Sequence, residues 1–352
     1  MSFSVVLAWT VLLLTPPQAF VLDPEPWDSG ALFEYLERAA RDGAVVQQAG
    51  GRYFVLNASE RQQALARVMG VSGRMAGVPP GDPHAVTDFR APGSVRGEGG
   101  VLVLDHRENA VFSAMSFLLD RSETVRWARD GAVIIDSAYS SGNTARAQNF
   151  AEQFGVRVLA TDAPPAAAFE MHRPRVGVLR SGDSRWLEWV LNEYKVPFTR
   201  VESGGPAWRV RFDSLVLCGA VADAAALGAF VREGGTLVAI GAGAEAAVRG
   251  LGLDVAVRAG PMPARAEVVT SHPIAFGMPA SADIFAAAPV VFQARAPSRS
   301  IVTVGSAAAL LQVPLGRGNV LLFGFEPQFH GEAYNTFRLL LNALYLASAQ
   351  RL

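Results

Sequence analysis

The chain is predicted to be an α/β protein, with a doubly wound, mostly parallel sheet in its second half and a smaller α/β domain in front. Three observations predict this. From residue 175 onward, short continuously apolar segments alternate with amphipathic ones, the rhythm of strands buried on both faces and of the helices that cover them. Glycines close many of these segments, as Gly234-Gly235 does before Thr236–Ile240. Half of the 352 residues are hydrophobic and only 18% are charged, enough apolar surface for sizeable cores and more than one domain.

The elements follow in order. Residues 1–22 form an apolar N-terminal segment in which Phe3–Leu14 has the length of a secretory core and is too short for a stable membrane span. Ala19 marks a candidate cleavage point. The lack of Lys or Arg before the run, and Pro17 where a small residue is preferred, argue against it. Two outcomes stay open: export to a periplasmic or extracellular space, or a cytoplasmic chain with the segment packed on its body. Residues 23–165 are assigned to the smaller domain. A helix is expected over Leu32–Ala40, a strand over Tyr53–Leu56 and a helix from Ser59, its cap, to Met69. The Gly- and Pro-rich stretch 71–99 is expected to be a long surface loop. A second strand–helix unit follows at Val101–Leu104 and Asn109–Leu119, then strands near 124–128 and 132–135, a helix over Thr144–Phe154 and a strand at Val156–Leu159.

Ala163–Ala168 is a junction, and residues 170–352 form the doubly wound domain. Its strands are expected at Arg175–Leu179, Phe198–Val201, Ser214–Leu217, Thr236–Ile240 and Val320–Phe325, with helices at Ser184–Tyr194, Ala222–Glu233, Ala244–Arg249 and an amphipathic Asn335–Leu346. Shorter, Pro-punctuated strands interrupt the layer over residues 262–315.

Charge and composition exclude several classes of function. Thirty-one Lys and Arg against 32 Asp and Glu offer no basic excess for nucleic acid or an anionic membrane. One cysteine, Cys218, allows neither an intrachain disulfide nor a thiolate metal cluster.

Three stretches carry a resemblance: Arg175–Leu191, reading Arg-Val-Gly-Val-Leu-Arg-Ser-Gly-Asp-Ser-Arg-Trp-Leu-Glu-Trp-Val-Leu; Ser271–Pro279, reading Ser-His-Pro-Ile-Ala-Phe-Gly-Met-Pro; and the terminal Gly316–Leu344. With Leu102–Ala110, they resemble the C-terminal region of bacterial M14-family zinc carboxypeptidases, in which a class I glutamine amidotransferase-like (flavodoxin-like) domain follows the peptidase domain. The resemblance covers roughly residues 100–350. It implies zinc in a peptidase domain absent from this chain, and no cofactor here. The metallopeptidase pattern His-x-x-Glu has no match: His84, His106, His172, His272 and His330 all lack an acid three positions on. His106/Glu108 and His330/Glu332 have i, i+2 spacing, which a strand would place on one face, with no third ligand in evidence.

The amidotransferase-like part departs from its active relatives too. Their nucleophilic Cys sits on a sharp strand-to-helix turn. The matching turn here, Ile240–Glu245, contains Gly241 and Gly243 and no thiol or hydroxyl. Cys218 ends the preceding strand and reads either as a nucleophile or as a small buried residue. The same glycines loosely match a dinucleotide fingerprint, against which Glu245 would repel a phosphate. Asp183 reads as a helix cap or a ligand contact, Trp186 and Trp189 as packing residues on one helical face, and Glu326 with Glu332 as a loose acid pair around His330.

The favoured expectation is a non-catalytic module that binds a peptide, a glycan or a partner peptidase. Its ligand contacts would be Ser181, Asp183, Gly241, Gly243 and His330. The alternatives are a remnant or fragment of a metallocarboxypeptidase, and a hydrolase whose site joins Asp183, Cys218, Glu326, His330 and Glu332 at the carboxyl ends of the strands.

Overall fold

The computed structural model describes residues 18–23, 27–77, 79, 81–136, 144–202, 208–295 and 297–352. Most of the apolar N-terminal run lies outside them.

The first sheet is antiparallel. It contains β1 (Gln18–Leu22), β2 (Val45–Ala49), β3 (Arg52–Leu56), β4 (Gly73–Gly77) and β5 (His84–Ala85), in the order β4-β1-β3-β2-β5, with α1 (Ser29–Arg41) and α2 (Glu60–Met69). The second helix starts where its sequence puts it, Ser59 forming a capping box with Gln62; α1 starts three residues before the expected Leu32, because Asp28 accepts from Ala31 N and caps it. Two further expectations change. The last five residues of the apolar segment are β1, with Ala19 and Leu22 buried, so the Ala19–Phe20 bond lies inside a strand that is paired on both sides. The stretch 71–99 is not one loop: it contains β4, β5 and the next strand, whose backbones find partners in neighbouring strands despite a Gly- and Pro-rich sequence.

The second sheet is built from β6 (Ser94–Gly97), β7 (Val101–Leu104), β8 (Thr124–Ala128), β9 (Val133–Asp136), β10 (Arg157–Thr161) and β11 (Ala167–Met171), with α3 (Ala110–Leu119) and α4 (Thr144–Phe154). Its order is β11-β8-β9-β7-β10-β6, and only β10 and β6 run parallel. The first half of the chain thus contributes to two sheets, and the stretch 163–168 read as a junction overlaps the start of β11.

The third sheet comprises β12 (Val176–Leu179), β13 (Phe198–Val201), β14 (Ser214–Leu217), β15 (Thr236–Ile240), β16 (Val255–Ala259), β17 (Ala264–Val268), β18 (Ser281–Ile284), β19 (Val290–Ala294), β20 (Arg299–Val304), β21 (Ala307–Leu315) and β22 (Gly318–Phe323). Its helices are α5 (Arg185–Glu193), α6 (Trp208–Arg211), α7 (Ala224–Arg232), α8 (Ala242–Leu251) and α9 (Tyr334–Ser348). A short β23 (Gln350–Arg351) returns to pair with β11. The strands β13-β12-β14-β15-β22 are parallel. Beyond β22 the sheet continues antiparallel through β21, β20, β17 and β18, so it is mixed rather than mostly parallel. The 262–315 interruption is this antiparallel extension.

Side chains of the parallel strands alternate between two cores. Val176, Val178, Val216, Val238, Leu321 and Phe323 join α5 and α9 on one face; Leu215, Leu217, Leu237, Val320 and Leu322 join α7 and α8 on the other. The first of these cores also takes in α1, α3 and the inner faces of the first two sheets, so the two halves of the chain share it. At its centre lies α9. Expected to be amphipathic, it is instead buried from Phe337 through Tyr345, with even Arg338 and Asn342 at 0% exposure.

Candidate functional site

At the carboxyl edge of the parallel strands the sequence-selected residues gather, and the geometry disarms them. Gly241 occupies the turn between β15 and α8 with φ 55° and ψ −120°, and its N–H donates to Phe323 O at 2.8 Å. This is the strained bend at which a nucleophile would be presented, and glycine supplies no reacting atom. A Cβ at Gly241 would meet nothing within 4 Å, whereas one at Gly243 would sit 2.2 Å from Leu217 O. The first glycine thus relieves backbone strain, and the second permits α8 to approach β14.

Cys218 follows β14 and packs against the larger core. Burial, reinforced by the carboxylates of Glu326, Asp183 and Glu188, pushes its thiol up to about 12. A nucleophilic cysteine needs the opposite surroundings, a cation or imidazole that favours thiolate. His330 does not supply one. Its ring stacks on Phe329 (centroids 4.2 Å apart, planes within 7°) and lies 6.2 Å from Trp186. Its backbone is left-handed at φ 49°, and Gly331 beside it rests on the faces of Trp186 and Trp189.

The acids are engaged elsewhere. Glu326 accepts from Ala287 N at 3.0 Å, while Glu332 pairs with Arg38 of α1 at 3.2 Å. The two carboxylates serve different partners and form no acid pair. Ser184 holds the cap position of α5 without a side-chain bond, while Asp183 accepts from Arg185 N at 3.0 Å and clamps the Arg185 guanidinium, which together hold its carboxyl down to about 2. Glu245 pairs with Arg249 one turn along α8.

The strand order places a topological switch point between β12 and β14, where open α/β sheets usually bind ligands. Here that crevice is nearly filled. Gly182 and Gly219 bring the two following loops into backbone contact: a Cβ on Gly219 would lie 2.7 Å from Gly182 N, and one on Gly182 would lie 2.8 Å from Cys218 O. Among the described residues a cavity of about 20 Å³ here is lined in part by Ser181, Leu217 and Asp223, space for a single water. The Ser181 hydroxyl is buried beside it without a partner among the described residues.

The i, i+2 metal pairs do not fit zinc. His106 is enclosed, with Nδ1 2.6 Å from Gly131 O and Nε2 2.7 Å from Asn342 Oδ1. Glu108 instead accepts from Ser29 N and Oγ and contacts Arg157 Nε at 2.5 Å. Among the described residues no group of three His, Cys, Asp or Glu side chains is arranged to hold a metal ion.

Sequence reading missed the buried polar network of which Glu108 is part. Arg338, fully buried on α9, donates to Asp28 Oδ2 (3.0 Å) and Gly277 O (2.7 Å). Asp28 also caps α1 and accepts from Asn109 N, and Asn109 Nδ2 donates to Tyr334 O. Burial, and then the Asp28 charge, push the Glu108 carboxyl up to about 8, against the pull of Arg157. A sequence signal for it was an Arg flanked by Phe337 and Leu339–Leu341 in the last helix. Beside this network a cleft of about 600 Å³ opens on the second sheet, where Arg107 and Arg157 are both paired with Asp105.

No family model matches the chain, and no curated protein matches it. Solved structures overlap part of it. A cytoplasmic protein from Salmonella typhimurium is 16% identical over 50% of this chain and 99% of its own, with a TM-score of 0.39. A glutamine amidotransferase from Thermotoga maritima is 13% identical over 49% and 96%, with a TM-score of 0.36. A β-galactosidase from Bacillus circulans sp. alkalophilus is 11% identical over 51% and 31%, with a TM-score of 0.35. None of these scores reaches 0.5, so nothing of the neighbours' activity transfers to this chain. The class that the fold itself defines is an α/β protein with a mixed sheet.

Proposed function

We propose that this chain is a non-catalytic binding module on an amidotransferase-like scaffold, related to the tail of M14 zinc carboxypeptidases, and that its partner is a peptide, a glycan or a peptidase. One observation carries the reading: the bend at Gly241 keeps the geometry of a nucleophile turn with no side chain on it. The nearby thiol is held protonated, and the imidazole is occupied by aromatic stacking. Acyl transfer requires a nucleophile, a base within hydrogen-bond reach and a cavity for the reacting atom. At this bend the nucleophile is missing.

The test is hydrolysis by the purified chain. Glutamine and a panel of dipeptides, with and without added zinc, should be consumed no faster than in buffer. Turnover that is abolished by His330→Ala or Cys218→Ala would refute the reading.

A further inference from the structure

We infer that the chain pairs with a second copy of itself through the open edge of β4, joining two first sheets into one across a twofold axis. The inference goes beyond the binding-module reading and does not depend on it.

Hydrogen-bond alternation identifies the backbone groups available. Across β1 and β4, Leu22 faces Gly73 and Gln18 faces Gly77. The next pair outward, Asp23 with Ser72, is bonded, Asp23 N donating to Ser72 O at 3.2 Å. Bonded and non-bonded pairs alternate along an antiparallel ladder, so Ser72, Arg74 and Ala76 direct their N–H and C=O at β1. The bond from Asn57 N to Gln18 O sets the complementary phase on the other side of β1. The N–H and C=O of Gly73, Met75 and Gly77 therefore point away from the sheet, where β4 meets no strand among the described residues. Those three residues are exposed, Met75 at 37%.

Nothing within β4 defends this edge. Its pairing with β1 runs through all five residues without a bulge, and it contains no proline. Its one charge, on Arg74, sits on a residue whose backbone faces β1. Other sheet ends are treated differently. The strands β5 and β23 have two residues each, Asp283 O on β18 accepts from Asn335 Nδ2, and Arg200 on β13 is held by Glu188.

The strand also fits itself in one register. Laid antiparallel about a twofold axis through Met75, it sets Gly73 opposite Gly77 and Met75 opposite Met75 of the other copy, so every outward N–H and C=O finds a partner. Arg74 then faces Ala76. Sliding the pair by two residues leaves a glycine's outward groups unpaired, and in one direction it sets Arg74 against Arg74, like charges directly opposed. Met75 shares its face with Phe20, and the glycines on either side leave room for two methionines to meet on the axis. On the opposite face Ala76 carries the apolar cluster of Ala19, Val21 and Phe54 up to the joint. This self-complementarity names a second copy, rather than a foreign peptide, as the occupant of the edge.

Sedimentation equilibrium of the full chain should give a mass that rises with concentration toward twice 37.4 kDa. Met75→Pro removes an N–H that takes no part in the β1 ladder, so this variant should keep its far-ultraviolet circular dichroism and stay monomeric. Met75→Lys and Met75→Glu each place like charges together on the axis and should weaken self-association at least about fivefold. Mixed in equal amounts, the two should recover dimers, because a residue on the axis meets its own counterpart. A chain still monomeric at about 1 mM, a dimer indifferent to Met75→Pro, or Lys and Glu variants that fail to recombine would overturn the assignment. If the proline variant does not fold, the Lys and Glu pair decides the matter alone.

Discussion

Two glycines and a thiol, all chosen from sequence as site residues, turn out to have distinct physical duties. Gly241 is there for its dihedral angles and Gly243 for its lack of volume. Gly241→Ala should cost about 1–3 kcal/mol, the price of a non-glycine residue in a sparsely populated region. Gly243→Ala should cost more, because the atom it would strike is the Leu217 carbonyl oxygen, which cannot rotate away. Urea midpoints of the two variants check the order; equal losses would contradict it. Cys218 supplies a second residue-scale expectation. Its thiol is raised from an ordinary value near 9 to about 12, so thiolate becomes abundant only as the pH approaches 12. Iodoacetamide at pH 8 should label the folded protein on the order of a thousandfold more slowly than the urea-unfolded chain, three pKa units being three decades of thiolate. Rapid labelling of folded protein would restore the nucleophile reading.

The loop that follows β7 shows how an element can be placed by one buried ring. His106 lies edge-on to Trp127 and Phe112, between two acceptors, Gly131 O and Asn342 Oδ1. Asn342 Nδ2 already donates to Ile274 O and Phe276 O, so both contacts of the ring favour a donated proton. Burial works against the charged ring and outweighs them, with Arg338 adding repulsion, and the pKa falls to about 4. The consequence for stability has a definite sign. Between pH 6.5 and 4 the unfolded chain binds the proton and the folded chain does not, so stability falls as pH drops through that window, by up to about 3 kcal/mol. Glu108, raised to about 8, gives an opposite slope above its unfolded value near 4.5. The difference between wild type and His106→Gln isolates the histidine. That difference should shrink from pH 7 to pH 4.5 in urea titrations, and a constant difference would show that the ring titrates alike in the folded and unfolded chain.

Over the whole molecule, the Asp28–Arg338 pair joins the cap of α1 to the central helix and, through Gly277 O and Asn109, to the other sheets. Removing one partner strands the other charge in the shared core, so Asp28→Asn and Arg338→Met should each cost about 3–5 kcal/mol. The double variant should lose less than the sum, since the second substitution removes the stranded charge. Additive losses, measured by chemical unfolding, would mean the pair does not couple the halves of the chain. That coupling has a bearing on the apolar N-terminal stretch as well. Gln18 and Ala19 belong to β1, paired with β3 and β4, and a cut after Ala19 would take two residues from the sheet that carries α1.

Local chemistry alone determined a good deal here. The cap at Ser59, the apolar strands from Val176 to Phe323, and the sharp turn at Gly241 without its nucleophile are all written in neighbouring residues, because capping, strand burial and turn geometry act over a few positions. Other features could be decided only by the folded chain. Whether β21 joins β22 as an antiparallel neighbour, whether the crevice beside Ser181 stays open, and whether Arg338 meets Asp28 across 310 positions depend on which surfaces packing brings together. Strand pairing, closure of a crevice and burial of a charge are long-range events, and their energies come from contacts that no local pattern specifies.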